Sequence, residues 1–221
     1  MSPSHAPKAV ERFIFFSDAV FAFSLTLLAA SLKLPPHADR LSHAELLAAL
    51  GEMVPVLTCY LITFGVVARL WARHHRTFER LHDYDDRLIL LNFVLLLFVS
   101  LEPFTIDLLM STHSDNLPFG IYTGMLALTG TASFAVYWHS RRTPGLLGEA
   151  PSRETFLREC AGQLGLPLMT GLLCLASFWF ERSDFLWCTA AAGGITFGGK
   201  RVALWAIERT ARKGGLQGKP G

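Results

Sequence analysis

Six long apolar stretches set the rhythm of the chain, at 13–34, 46–68, 88–110, 117–138, 163–181 and 184–206. A helix needs about 20 consecutive apolar residues to cross a bilayer, and each stretch comes near that length. The polar pieces between them are short, and none is long enough to divide two domains. The pattern predicts an all-α integral membrane protein, because backbone facing lipid must satisfy its own hydrogen bonds. It also predicts one six-helix transmembrane domain over 1–212, followed by a short, basic, disordered tail at 213–221. The fifth stretch is the shortest, and its Pro167 leaves the start of that helix open.

The placement of basic residues orients the spans. If the N-terminus is cytoplasmic, seventeen of the 20 Lys and Arg residues fall on the cytoplasmic side, leaving Lys33, Arg40 and Arg182 outside. Such a bias fixes topology, and it predicts both termini inside a multi-pass protein of the cell membrane. A cleaved signal peptide is the rival reading of the N-terminus, since Lys8 and Arg12 precede an apolar run that ends in LLAAS. That run is longer than a usual signal core and contains Ser17 and Asp18, which favours a retained helix.

Composition narrows the function classes. Charged residues make up 17% of the chain against 51% hydrophobic, below the ~25% charge of soluble domains. The net charge of +2 offers no bulk attraction for nucleic acid. Cys59, Cys160, Cys174 and Cys188 are scattered, without the spacing of a disulfide framework or a zinc site. His74, His75 and His82 lie near Asp83, Asp85 and Asp86, but in no recognised ligand spacing. No nucleophile with a partner base and no Gly-rich phosphate loop is evident, so neither an enzyme nor a cofactor is predicted.

Within the spans, Gly120 and Gly124, and again Gly194 and Gly198, stand four apart. Small residues at that spacing let helix backbones approach closely, either inside one bundle or between subunits. Asn92 reads as an interhelical hydrogen-bonding residue. Glu102 and Asp107 fall toward the outer end of the third span, where they either lend a negative potential to an outer mouth or simply face water. The fourth span carries no equivalent of the polar cluster of the first, so the two halves are not duplicates.

That first span, RFIFFSDAVFAFSLTLLAASLKL, holds Asp18 near its inner end and Thr26 beyond it. An aspartate at a helix centre costs roughly 2.5–3.5 kcal/mol on insertion scales, so its presence calls for a use. At about 100° per residue, Phe16, Val20, Phe23, Leu27, Ala30 and Leu34 form one stripe, with Thr26 at its shoulder and Asp18 about 140° from Phe23. If the stripe faces a pore, Asp18 faces neighbouring helices and serves as an anchor, with Trp71 and His74 as candidate donors. One lining helix per chain cannot enclose a pathway, so copies must close around an axis.

The segment Arg12-Phe13-Ile14-Phe15-Phe16-Ser17-Asp18 resembles the RxxxFSD signature of the lysosomal potassium channel family, in its six-helix prokaryotic form. Trp71-Ala72-Arg73-His74-His75-Arg76-Thr77-Phe78 is similar to its WxxHxxxF pattern, and Asn92 with the run to Pro103-Phe104 matches its third helix. The resemblance covers the first half of the chain in motif detail, and the second half in helix count and topology. It implies a leak-type, potassium-permeable homotetramer whose first helices line the pore. It implies a constriction at Phe23, a hydroxyl layer at Thr26, further lining at Leu27 and Ala30, and a structural network of Arg12, Phe16, Ser17, Asp18, Trp71, His74 and Asn92.

Phe23 departs from the family's aliphatic constriction. Four phenyl rings either close the path more completely than isoleucines or lie flat and present faces that tolerate a cation. No carbonyl-lined filter sequence occurs, so selectivity is expected to be a modest preference for potassium over sodium, set by width at Phe23 and Leu27 and by the Thr26 hydroxyls. The competing function is a proton-coupled transporter, or a proton-permeable channel, using Asp18 and His74. Flux driven by a pH gradient would mark it out.

Overall fold

The computed structural model describes residues 8–33, 37–111, 116–148 and 152–179, together with residue 201. The sixth predicted span at 184–206, apart from residue 201, and the tail at 213–221 lie outside them, as do Leu34, Gly194 and Gly198. Among the described residues the chain is helical: α1 (Lys8–Leu28) runs on into a 3-10 turn, Ala29–Ser31, and a second such turn, Ala38–Arg40, precedes α2 (His43–Glu52). Then follow α3 (Val54–Phe78), α4 (Asp86–Ser111), α5 (Leu117–Arg142) and α6 (Arg153–Ala176). Four segments, Val56–Phe78, Asp86–Ser111, Leu117–Arg142 and Glu154–Ala176, are long and apolar enough to cross a membrane. The protein is therefore a multi-pass, all-helical membrane protein.

The second span differs from its prediction at 46–68. It is split at Met53 into the short α2 and the long α3. Pro55 has no N–H to give the Gly51 carbonyl, which favours a new helix opening there over a continuation of α2. It sits in the first turn of α3. Upstream, Ser42 opens α2 with a capping box: its hydroxyl accepts from the Glu45 backbone N–H, and the Glu45 carboxylate accepts from the Ser42 N–H at 2.8 Å. The consequence reaches the site, because α3 is pushed toward its C-terminus and Trp71–Phe78 form its last two turns.

Two prolines sit inside helices and do not end them. In α4, Pro103 cannot donate to the Val99 carbonyl, and Ser24 of α1 donates to that oxygen at 2.5 Å. In α6, Pro167 lies well inside a helix that begins at Arg153, under a Ser152 cap that accepts from the Thr155 N–H. The proline thus does not mark the start of the fifth span. Its ring is received by Gly130 of α5, where an added Cβ would stand 2.9 Å from Pro167 Cδ.

Gly120 and Gly124 serve the same α5–α6 seam. A Cβ on Gly120 would meet Ser177 Oγ at 2.5 Å, and one on Gly124 would meet Cys174 Sγ at 3.1 Å. Their spacing is spent on packing within one chain. With no hydrophobic drive between helices in lipid, such close approach supplies the contact energy.

Polar links tie α3, α4 and α5 together. The Thr63 hydroxyl donates to the Cys59 carbonyl, so the bond to Tyr122 at 2.6 Å is donated by the phenol. Glu102 is fully buried and lies 2.7 Å from Thr129 Oγ1, which places it between helices and not at an outer mouth. Asp107 alone faces water, paired with Lys33 at 2.7 Å. At the opposite end, Asp85 accepts from the Leu88 N–H and from His139. Burial works against its charge, but those hydrogen bonds outweigh it and hold the Asp85 carboxyl below the usual range.

Candidate functional site

The first helix divides cleanly into two sides. Val10, Ser17, Phe21, Ser24 and Leu28 are buried against α3 and α4. Phe15, Ala19, Ala22, Phe23, Thr26 and Ala30 are exposed, with Phe16 and Leu27 at one margin. Phe23 is 67% exposed, Phe16 49% and Leu27 40%, although all three are large and apolar. Two details of the predicted stripe change. Val20 is half-buried and packs against the core, while Thr26 lies near the middle of the exposed face and not at its shoulder. The Thr26 hydroxyl donates to the Ala22 carbonyl at 2.9 Å, which leaves the exposed oxygen with lone pairs to accept.

The buried side is fixed by a chain of hydrogen bonds whose donors can be worked out. Ser17 gives its single hydroxyl proton to the Phe13 carbonyl at 3.0 Å, so it can only accept from Asn92 Nδ2 at 2.8 Å. Asn92 therefore turns its Oδ1 to His74, and His74 Nε2 must donate to it at 2.8 Å. This sets the His74 tautomer, with the proton on Nε2. The ring is buried, stacks on Phe78 with centroids 3.8 Å apart and rests against Phe21, while Nδ1 has no partner among the described residues.

A second cluster is built on the adjacent residues, Asp18 and His75. Trp71 Nε1 donates to Asp18 Oδ1 at 2.9 Å, and His75 Nδ1 lies 3.1 Å from Asp18 Oδ2. The other nitrogen of His75 lies 3.3 Å from Glu79, and its ring stacks on Trp71. The sequence-based pairing of Asp18 with Trp71 and His74 is thus corrected in one member: His75 reaches Asp18, and His74 belongs to Asn92. Adjacent residues on a helix differ by about 100° in direction, so the two histidines serve different neighbours. Arg12 is exposed at the head of α1, and Phe16 meets Phe93 edge-on at 5.8 Å. Ser24 escaped the sequence reading, though it lies two turns beyond Ser17 on the same face.

These features define a helical membrane protein that binds its first helix by polar pins on one side and leaves an apolar, hydroxyl-bearing face exposed on the other. The family model for the endosomal/lysosomal potassium channel TMEM175 matches residues 12–103. A potassium channel of Streptomyces collinus is 32% identical over 165 residues, covering 71% of this chain and 79% of that one. One of Chamaesiphon minutus is 26% identical over 172 residues, covering 75% and 84%. The chain belongs to the TMEM175 family of ion channels.

The human endosomal/lysosomal proton channel TMEM175 is 27% identical over 179 residues, and the match covers 77% of this chain but 34% of that larger protein. In fold, the crystal structure of the Chamaesiphon minutus TMEM175 homologue superposes with a TM-score of 0.63 at 20% identity, covering 91% of this chain and 99% of that one. The MtTMEM175 T38A variant gives 0.58 at 18%, covering 96% and 99%.

Proposed function

We propose that this chain is a leak-type, potassium-permeable channel of the cell membrane, formed by four copies whose α1 helices face a common axis. The observation that carries the reading is the division of α1: Ser17 and Ser24 lock one side into the bundle, and Phe23, Thr26 and Ala30 stand exposed on the other. Curated bacterial relatives are named potassium channels, which supports potassium as the permeant ion. In this arrangement Phe23 forms the constriction, a ring of side chains that resists wetting. Thr26 and Leu27 follow it along the path, and Thr26 hydroxyls replace part of the ion's hydration shell. Asp18 is a scaffold residue, its two oxygens occupied by Trp71 and His75.

Flux of potassium, sodium and cesium into liposomes, compared for the native chain and Phe23→Ile, tests this. Potassium should pass faster than sodium, and the substitution should change the rate. Sodium flux equal to or above potassium flux would overturn it. A proton-permeable channel is the second reading, favoured by the name of the human relative. Its relay as first drawn, from Asp18 to His74, loses support because His75 is the histidine at Asp18. Dissipation of a pH gradient without potassium would decide for protons.

A further inference from the structure

Five arginines converge where α3, α5 and α6 meet at the basic end of the bundle. Arg69, Arg73, Arg76, Arg80 and Arg141 line a cavity of about 340 Å³ together with Tyr137, Glu159 and Gln163. Such a volume lies in the range of small-ligand sites. Among the described residues the lining holds five guanidinium groups and a single carboxylate, that of Glu159. Arginine keeps its charge in any protein environment, so the excess must be met by anions.

The site is built and not merely a rim of surface charge. The Arg141 side chain is only 5% exposed, and its buried Nε has no partner among the described residues. Its guanidinium lies over the Tyr137 ring, 5.5 Å from the centroid, and reaches Glu159 through Nη2 at 3.4 Å. Glu159 also accepts from the Tyr137 hydroxyl, so its charge is shared. Arg73 is steadied by donating to the Gly162 carbonyl at 2.8 Å, and Arg76 by donating to the Ala72 carbonyl at 2.8 Å. Each has further N–H groups to give. A positive-inside bias alone distributes arginines along loops; it does not require them to share a cavity or to bury one of them.

We propose that this cavity binds a phosphate-bearing anion, held by Arg69, Arg73, Arg76, Arg80 and Arg141. Several planar donor forks around one pocket suit a tetrahedral oxyanion that accepts on many sides. Phospholipid headgroups and soluble phosphates share that chemistry, and basic pockets between transmembrane helices are known lodgings for anionic headgroups.

The test uses the purified full chain and its thermal unfolding midpoint, which rises when a ligand binds the folded state. One arm titrates inorganic phosphate and pyrophosphate at constant ionic strength. The other titrates phosphatidylglycerol into phosphatidylcholine bicelles. A saturable rise in the first arm assigns a soluble phosphate; one confined to the second assigns a lipid headgroup. Arg141→Gln risks misfolding, so the variant is Arg76→Gln with Arg80→Gln, both exposed, and half-saturation should weaken about tenfold or more. Arg87→Gln removes a charge at the same end outside the cavity and should leave binding unchanged. No saturable response in either arm, or an equal loss with Arg87→Gln, would overturn the proposal.

Discussion

Ser24 of α1 donates its hydroxyl to the Val99 carbonyl of α4 at 2.5 Å, and that carbonyl is the one Pro103 leaves without a helical N–H. A gap in the hydrogen bonding of one helix thus becomes the acceptor for its neighbour, one residue past Phe23. Ser24→Ala should strip a buried carbonyl of its partner and lower stability by about 1–3 kcal/mol. The loss should shrink in a Pro103→Ala background, where residue 103 regains an N–H for Val99. Denaturation midpoints of the four chains in a double-mutant cycle check this. Equal losses in both backgrounds would mean that the proline is not what makes the serine matter.

The relay from His74 through Asn92 to Ser17 has a defined direction, and substitutions can read it. His74 must present a donor to Asn92 Oδ1. Glutamine offers an amide N–H at comparable reach, so His74→Gln should retain most of the folded protein. His74→Leu leaves the Asn92 oxygen buried and unpaired, and should cost roughly 1–3 kcal/mol more. Thermal midpoints of the purified variants distinguish the two. Closely similar midpoints would show that ring packing on Phe78, and not the hydrogen bond, is what His74 supplies.

Much of this was legible in the order of residues. Periodicity placed Phe16, Phe23, Leu27 and Ala30 together because a helix repeats near 3.6 residues, and all four are exposed in the structure. The same arithmetic turned Asp18 toward the protein. Three things were not legible. The break at Met53 falls two residues before Pro55, which has no N–H for the Gly51 carbonyl, and a hydropathy average does not see one missing donor. Glu102 is next to a proline near a span's end and looks like a headgroup residue until Thr129, 27 positions away, is placed beside it. The choice of His75 over His74 for Asp18 rests on the rotation of α3 against α1, which neither helix encodes alone.

Asp18 provides the contrast between scaffold and pore. Both its oxygens are engaged by α3, and its side chain lies away from Phe23. Asp18→Ala should therefore reduce the yield of assembled protein far more than it alters ion preference. Asp18→Asn keeps an acceptor for Trp71 and should recover part of the yield. Size-exclusion profiles beside potassium-to-sodium flux ratios separate these outcomes. A normal quantity of stable oligomer with altered selectivity would place Asp18 on the conduction path instead.

The contact between Glu102 and Thr129 contains a counting problem with one tidy solution. Thr129 has a single hydroxyl proton, yet its oxygen lies 2.9 Å from the Met125 carbonyl and 2.7 Å from Glu102 Oε1. Both contacts are good hydrogen bonds when Thr129 donates to Met125 and the Glu102 carboxyl donates to Thr129. The buried Oε2, which has no partner among the described residues, is also far less costly on a neutral acid than on a carboxylate. Glutamine reproduces the shape and can donate from its amide, so Glu102→Gln should fold with a stability within about 1 kcal/mol of the native chain. Glu102→Ala opens a cavity and should lose roughly 2–4 kcal/mol. Unfolding midpoints at neutral pH check both, and a Gln variant as damaged as the Ala variant would require a charged carboxylate at this position.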